Sequence, residues 1–143
     1  MNPIQIVIDT NIFVAAYRSQ HGASYALVSR IGDPRFQINV STALLYEYEA
    51  KLKTEVVRAG SHDFEKQEHF LNYLATIANR RRIYFTFRSD LIDPDDQFVV
   101  DLAVASRAQY IVTFNQRHFV AMRKYELYPV RPAEFMRILE ELT

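Results

Sequence analysis

The chain has no cysteine among its 143 residues, which excludes disulfides and thiolate metal sites and agrees with a reducing, cytoplasmic location. Charge of one sign is missing as well: 17 basic and 17 acidic residues give a formal net charge of zero. A whole-molecule basic field for nucleic acid is thereby excluded, and any such binding must use a local patch. No apolar run approaches the roughly 20 residues that span a bilayer, and the first residues lack the basic and apolar regions of a signal peptide. A membrane partner is therefore not expected. Glycine is scarce, with three residues at Gly22, Gly32 and Gly60, each where a helical pattern gives way to a turn. Repeats, low-complexity tracts and Gly/Pro/Ser-rich linkers are absent.

What is there is ordinary for a soluble globular protein: 49% hydrophobic and 24% charged residues. The length suits a single domain over residues 1–143 with a core that needs no disulfides. "IQIVI" at 4–8 is a short continuous apolar-rich run, as in a strand covered on both faces. Residues 12–30 carry apolar positions at helical spacing, interrupted near "SQHG", and read as two short helices. "GDP" is a turn, and "FQINVS" at 36–41 alternates like a strand. "STALLYEYEAKLKTEVVRAG" opens with Ser-Thr caps and runs as a helix to Gly60. "DFEKQEHFLNYLATIANR" is a second amphipathic helix, with Phe64, Phe70, Leu71, Leu74 and Ile77 near one face. "RIYFTF" at 82–87 reads as a strand. "DPDDQFVVDLAVASRAQ" at 93–109 begins with a Pro-Asp turn and continues as a helix whose acidic start suits the dipole. "YIVTF" at 110–114 is a further strand, and the tail gives a very short strand before Pro132 starts a final helix. Strands alternating with helices predict an α/β domain with a mainly parallel sheet.

The polar residues fall where such a sheet binds ligands, beyond the carboxyl ends of its strands. Asp9 ends the first strand and Asn115 ends a later one. Glu47 lies in the helix after the second strand, and Asp95, Asp96 and Asp101 begin the helix that feeds the later one. Carboxylates gathered at one edge repel each other and raise each other's pKa unless a cation sits between them. Without cysteine and with few histidines, the fitting occupant is a hard, oxygen-seeking ion such as Mg²⁺ or Mn²⁺. Such an ion activates water and neutralises charge on a phosphodiester, so phosphodiester hydrolysis is the chemistry suggested. Asp96 and Asp101 are five residues apart, about 140° around a regular helix. They meet at one site only if Asp96 lies at the cap.

Four blocks, "VIDTNIFV", "STALLYEY", "DPDDQFVVDLAVA" and "IVTFNQRHF", in this order, resemble the PIN-domain ribonucleases, and most of all the branch of toxins of toxin–antitoxin systems akin to the VapC-type toxins. The resemblance covers nearly the whole chain. It implies a PIN-like three-layer α/β/α fold and an acidic Mg²⁺ or Mn²⁺ site that cuts single-stranded RNA. Carried over by position, Asp9 matches the first invariant carboxylate, Glu47 the second and Asp96 the third. Asp101 matches the acidic residue that this branch places on the next turn. Asn115 falls where many members have Asp and others Asn. Thr10, Asn11, Ser41 and Thr113 match polar positions that support the pocket. Members commonly form homodimers, and such toxins are held inactive by a small antitoxin protein, often one that also binds DNA.

Plainer readings stand beside these. Asp9-Thr10-Asn11 is also a good helix N-cap cluster. Glu47 has a rival in Glu49. Asp93 and Asp95 suit turn and cap positions better than ligation. Asp101, flanked by Val100 and Leu102, calls for a partner. Arg80, Arg81 and Arg82 read as a solvated helix end or as contacts to RNA phosphates. Arg117 and His118 are further phosphate-contact candidates, whereas His21 and His62 sit in exposed turns. As a whole, the chain reads as a metal-dependent endoribonuclease. The alternatives are a non-catalytic PIN-fold binding module and a housekeeping RNA-processing nuclease.

Overall fold

Ile6, Val7 and Ile8 are wholly buried, and with Ile4 and Gln5 they form strand β1 (Ile4–Ile8) at the centre of the molecule. The structure, a computed structural model, describes residues 2–142. Helices α1 (Thr10–Arg18) and α2 (Ala23–Ser29) follow, separated at the "SQHG" interruption. Strand β2 (Phe36–Val40) leads into α3 (Thr42–Arg58), where the Ser41 hydroxyl accepts from Leu44 N–H at 3.2 Å as the expected cap. Gly60 takes φ +80° just past α3, a left-handed position that favours glycine. Helix α4 (Glu65–Ile77), strand β3 (Asn79–Arg80), helix α5 (Gln97–Ala105), strand β4 (Tyr110–Val112), strand β5 (Tyr128–Val130) and helix α6 (Pro132–Glu140) complete the order. Two tight helical stretches, Pro94–Asp96 and Gln116–Tyr125, lie before α5 and after β4.

The five strands form one sheet in the order β3-β2-β1-β4-β5, with every neighbouring pair parallel. The mainly parallel sheet of the sequence reading is thus wholly parallel among the described residues. Strand direction and right-handed crossovers put α1 to α4 on one face and α5 on the other. In the packing, α1 meets α2 and α3, α3 meets α4, α2 meets α6, and α5 lies against β1, β2 and β4 and also touches α3. Covered on both faces, the central strands carry the apolar runs seen in the sequence. Among the described residues no helix is long and apolar enough to cross a membrane.

Two expectations fail locally. The helix expected through Arg80 ends at Ile77, and "RIYFTF" is not a strand. The strand there is only Asn79–Arg80, on the sheet's outer edge. Pairing with β2 runs out after the Arg81 N–H reaches Val40 O at 2.9 Å. Beyond that point the alternating residues 82–87 find no neighbouring strand, and Tyr84 and Phe85 remain exposed.

Candidate active site

The strand order reverses between β1 and β4, and this junction is where an open parallel sheet leaves a crevice at its carboxyl edge. Asp9 stands there at the end of β1, 8% exposed. It occupies the N-cap position of α1, yet its side chain makes no cap hydrogen bond. The carboxylate is used across the junction instead: Thr113 Oγ1, just past β4, donates to Asp9 Oδ2 at 2.7 Å. The same Thr113 oxygen accepts from Asn115 N–H at 3.0 Å, so one buried hydroxyl fixes both the acid and the turn that carries Asn115. The reading of Asp9-Thr10-Asn11 as a capping cluster is therefore corrected. Thr10 is buried and turned to another acid, and Asn11 is exposed.

Glu47 is half-buried on α3 and accepts from the Thr10 hydroxyl through Oε2. Its orientation follows from its neighbour. Tyr48 is wholly buried, and its hydroxyl donates to the carbonyl of Ile8, next to Asp9. Burial pushes the Tyr48 phenol well above its ordinary range, so it remains a neutral donor. With Tyr48 pinned under the end of β1, Glu47 is the residue of α3 that meets Thr10. Glu49, the rival, pairs with Lys53 at 3.5 Å one turn further along α3.

Asp96 closes the stretch Pro94–Asp96 and takes the N-cap position of α5. Its Oδ2 lies 3.0 Å from His118 Nδ1, which carries the proton when the carboxylate is ionised. Asp93 does what a turn residue should: its Oδ1 accepts from Asp95 N–H at 2.9 Å. Asp95 is exposed.

Three carboxylates from three elements thus share one electrostatic site. Burial pushes Asp9 up from the ordinary carboxylate value. The Thr113 hydrogen bond pulls it back, and the charges of Asp96 and Glu47 push it up further. Asp96 is also raised, first by burial and then by Asp93 and Asp95, against the opposing pull of His118. The donor set is entirely oxygen, apart from the His118 ring, which suits a hard divalent cation. Among the described residues, Glu47 Oε1 and Asp96 Oδ1 have no protein donor. Nor, among those residues, do any three acidic or histidine side chains stand at mutual ligand distance. Direct ligation by one or two carboxylates, with waters spanning the rest, is the arrangement that fits; Mg²⁺ normally keeps several waters.

Asp101 is not among the carboxylates acting most strongly on Asp9. Its Oδ1 accepts from Phe87 N–H at 2.7 Å and from Gln97 Nε2 at 2.8 Å, while Gln97 also donates to Phe87 O at 2.6 Å. The partner this buried acid requires is thus a backbone amide and a side-chain amide, and it lines the neighbouring cleft with Arg80, Arg81 and Arg82. Asn115 and Arg117 are exposed beside the junction. His118 and Gln97 hold acids in ways the sequence reading missed. Gln97 was discoverable, since it lies four residues before Asp101 on one helical face. Nothing in the local sequence pairs His118 with Asp96.

A sequence model of the family described as "PIN domain" matches residues 5–117, from β1 through the turn that carries Asn115. Domains of that family are generally nucleases, and they typically use divalent metals. No curated protein matches the chain significantly.

Proposed function

The chain belongs to the PIN-domain family, and from that premise we propose that it is a Mg²⁺- or Mn²⁺-dependent endoribonuclease that cleaves single-stranded RNA. The observation that carries this reading is the position of Asp9, buried at the switch point of the sheet and pushed up first by that burial and then by the charges of Asp96 and Glu47. Such mutual repulsion is stable at neutral pH when a cation offsets it.

Asp9, Glu47 and Asp96 are the residues that would hold the ion. The chemistry that Mg²⁺ or Mn²⁺ supplies in such a pocket is neutralisation of phosphodiester charge and a more acidic water. The chain's own groups do the positioning. Thr113 fixes Asp9 from the β4 side, and Thr10 fixes Glu47 from α1. His118 Nδ1 lies 3.0 Å from Asp96 Oδ2 and orients that carboxylate. Arg117 and Asn115 stand at the rim, where an arginine can meet a phosphate oxygen and an amide can orient a water. In the reaction, a water oxygen bonds to phosphorus and gives up a proton while the bond from phosphorus to the leaving ribose oxygen breaks, and that oxygen takes up a proton, so that no net proton is gained or lost. Asp101 takes a supporting place in this scheme, with one oxygen engaged by Phe87 and Gln97.

The biological setting that the resemblance suggests is a cytoplasmic toxin, homodimeric and restrained by a small antitoxin protein. Co-purification from its own cells tests this: an inhibitor that travels with the chain supports it, and an uninhibited nuclease points to housekeeping RNA processing. A non-catalytic binding module is the second reading, favoured by the lack of three acids at ligand distance among the described residues. Mn²⁺ titration separates the two. Binding that is lost on Asp9→Asn supports the nuclease, and no binding supports the module.

A further inference from the structure

Three consecutive arginines stand at the outer edge of the sheet. Arg80 ends β3, and Arg81 and Arg82 leave it at the carboxyl edge, the edge that also carries Asp9. With Tyr84, Phe85 and Asp101 they line an open cleft of about 610 Å³. Tyr84 is 78% and Phe85 87% exposed, which makes them among the most exposed large apolar side chains of the chain. The irregular segment that carries them is held in place from behind. Asp101 accepts from Phe87 N–H, Gln97 donates to Phe87 O, and the Phe87 ring packs edge-on against Tyr125 at 5.2 Å.

We propose that this cleft binds single-stranded RNA beside the scissile phosphate, with Arg80 and Arg82 on backbone phosphates and Tyr84 and Phe85 stacked on bases. The inference rests on the nuclease reading for its direction along the strand, but the cleft has its own chemistry. The chain carries no net charge, so a polyanion needs a local patch, and three adjacent guanidinium groups supply one. The one acid in the wall, Asp101, is 7% exposed and has an oxygen occupied by two donors, so the guanidinium groups set the sign of the cleft. Exposed aromatic rings beside a cationic groove are the combination that binds single strands without regard to sequence. Duplex cannot use the rings in this way, because its bases are already stacked.

The distance is suitable. Parallel strands lie about 4.8 Å apart, so β3, two strands from β1, places the Arg80 backbone, at the near wall of the cleft, roughly 10 Å from the end of β1. An extended strand leaving the acidic pocket toward β3 reaches the aromatic pair within a few nucleotides. Substrate length thereby enters recognition: a fragment too short to reach the cleft binds only at the acids.

The test is binding of a labelled single-stranded oligouridylate in EDTA, followed by fluorescence anisotropy over a range of salt concentrations. Arg80→Gln/Arg82→Gln should weaken binding and reduce the slope of log K against log salt by about 0.7 for each phosphate no longer neutralised. Tyr84→Ala/Phe85→Ala should weaken it about tenfold per stacked base, with the slope unchanged. All four side chains are exposed, and circular dichroism checks that both variants keep the fold. Wild-type binding by both cleft variants would overturn the proposal and leave the nuclease reading intact. Weakened binding by both, in a protein that never cleaves RNA, would support the cleft and remove the nuclease reading. Unchanged RNA binding with a dimer converted to monomer in sedimentation would assign the cleft to a second copy of the chain and overturn the proposal.

Discussion

Thr113 Oγ1 donates to Asp9 Oδ2 at 2.7 Å, a hydrogen bond that spans 104 residues of sequence and ties the end of β4 to the end of β1. It sits where the sheet's connections change direction. If Asp9 is a metal-holding acid, Thr113 is the residue that aims it. Thr113→Val keeps the shape and removes the donor. Cleavage should fall about 10- to 100-fold, as for other partners behind metal ligands, and the Mn²⁺ needed for half-maximal rate should rise. The measurement is the rate of RNA cleavage against Mn²⁺ concentration.

Asp9 should destabilise the metal-free protein at neutral pH. Its folded-state pKa is raised above the ordinary 3.8, first by burial. Below 3.8 it is protonated whether the chain is folded or not, so it contributes nothing there. As pH climbs from 3.8 through the folded value, the unfolded chain loses the proton first and stability falls. Asp9→Asn should therefore unfold at a higher temperature than wild type near pH 7, with the difference closing toward pH 3.8. Saturating Mn²⁺ should stabilise the wild type, by about 2.7 kcal/mol at a hundred times Kd, and leave the variant unmoved. Thermal scans across pH, with and without Mn²⁺, read both effects.

Asp101 separates two roles for one carboxylate. Asp101→Ala leaves the Phe87 N–H without its acceptor and the Gln97 amide with Phe87 O alone, at a cost of about 1–3 kcal/mol. Hydrogen exchange at the Phe87 amide should accelerate while Mn²⁺ affinity holds. A loss of Mn²⁺ affinity as large as that in Asp9→Asn would make Asp101 a ligand, as the family resemblance implies.

Asn115 is exposed at the rim, at the position where the resemblance to the PIN-domain ribonucleases implies Asp in many members. Asn115→Asp restores a charge beside a site that already raises its acids, so it should tighten Mn²⁺ binding several-fold. Calorimetric titration checks this, and weaker binding would show that Asn115 stands apart from the ion.

How much was legible before the structure depended on whether a signal was local. The apolar run at 4–8 and the Ser41 cap are local patterns, and β1 and α3 lie where they point. The meeting of two strand ends was legible through topology: a parallel sheet brings the carboxyl ends of its strands to one edge, and Asp9 and Thr113 meet there. The segment 82–87 was misread because alternation specifies a strand only when a neighbouring strand is present. At the sheet's edge, beyond Arg81, there is none among the described residues. Asp101 shows the same limit. Its apolar flanks correctly called for a partner, but nothing nearby in sequence marked the Phe87 amide, 14 residues away. The pairing of His118 with Asp96 lies at a separation of 22 residues and required the fold itself.

The most direct test is cleavage of single-stranded RNA by the wild type and by Asp9→Asn, each with Mn²⁺ and with EDTA. The account predicts cleavage by the wild type with Mn²⁺ alone, and none by a folded Asp9→Asn under either condition. Equal cleavage by the two proteins, or cleavage undiminished in EDTA, would contradict it.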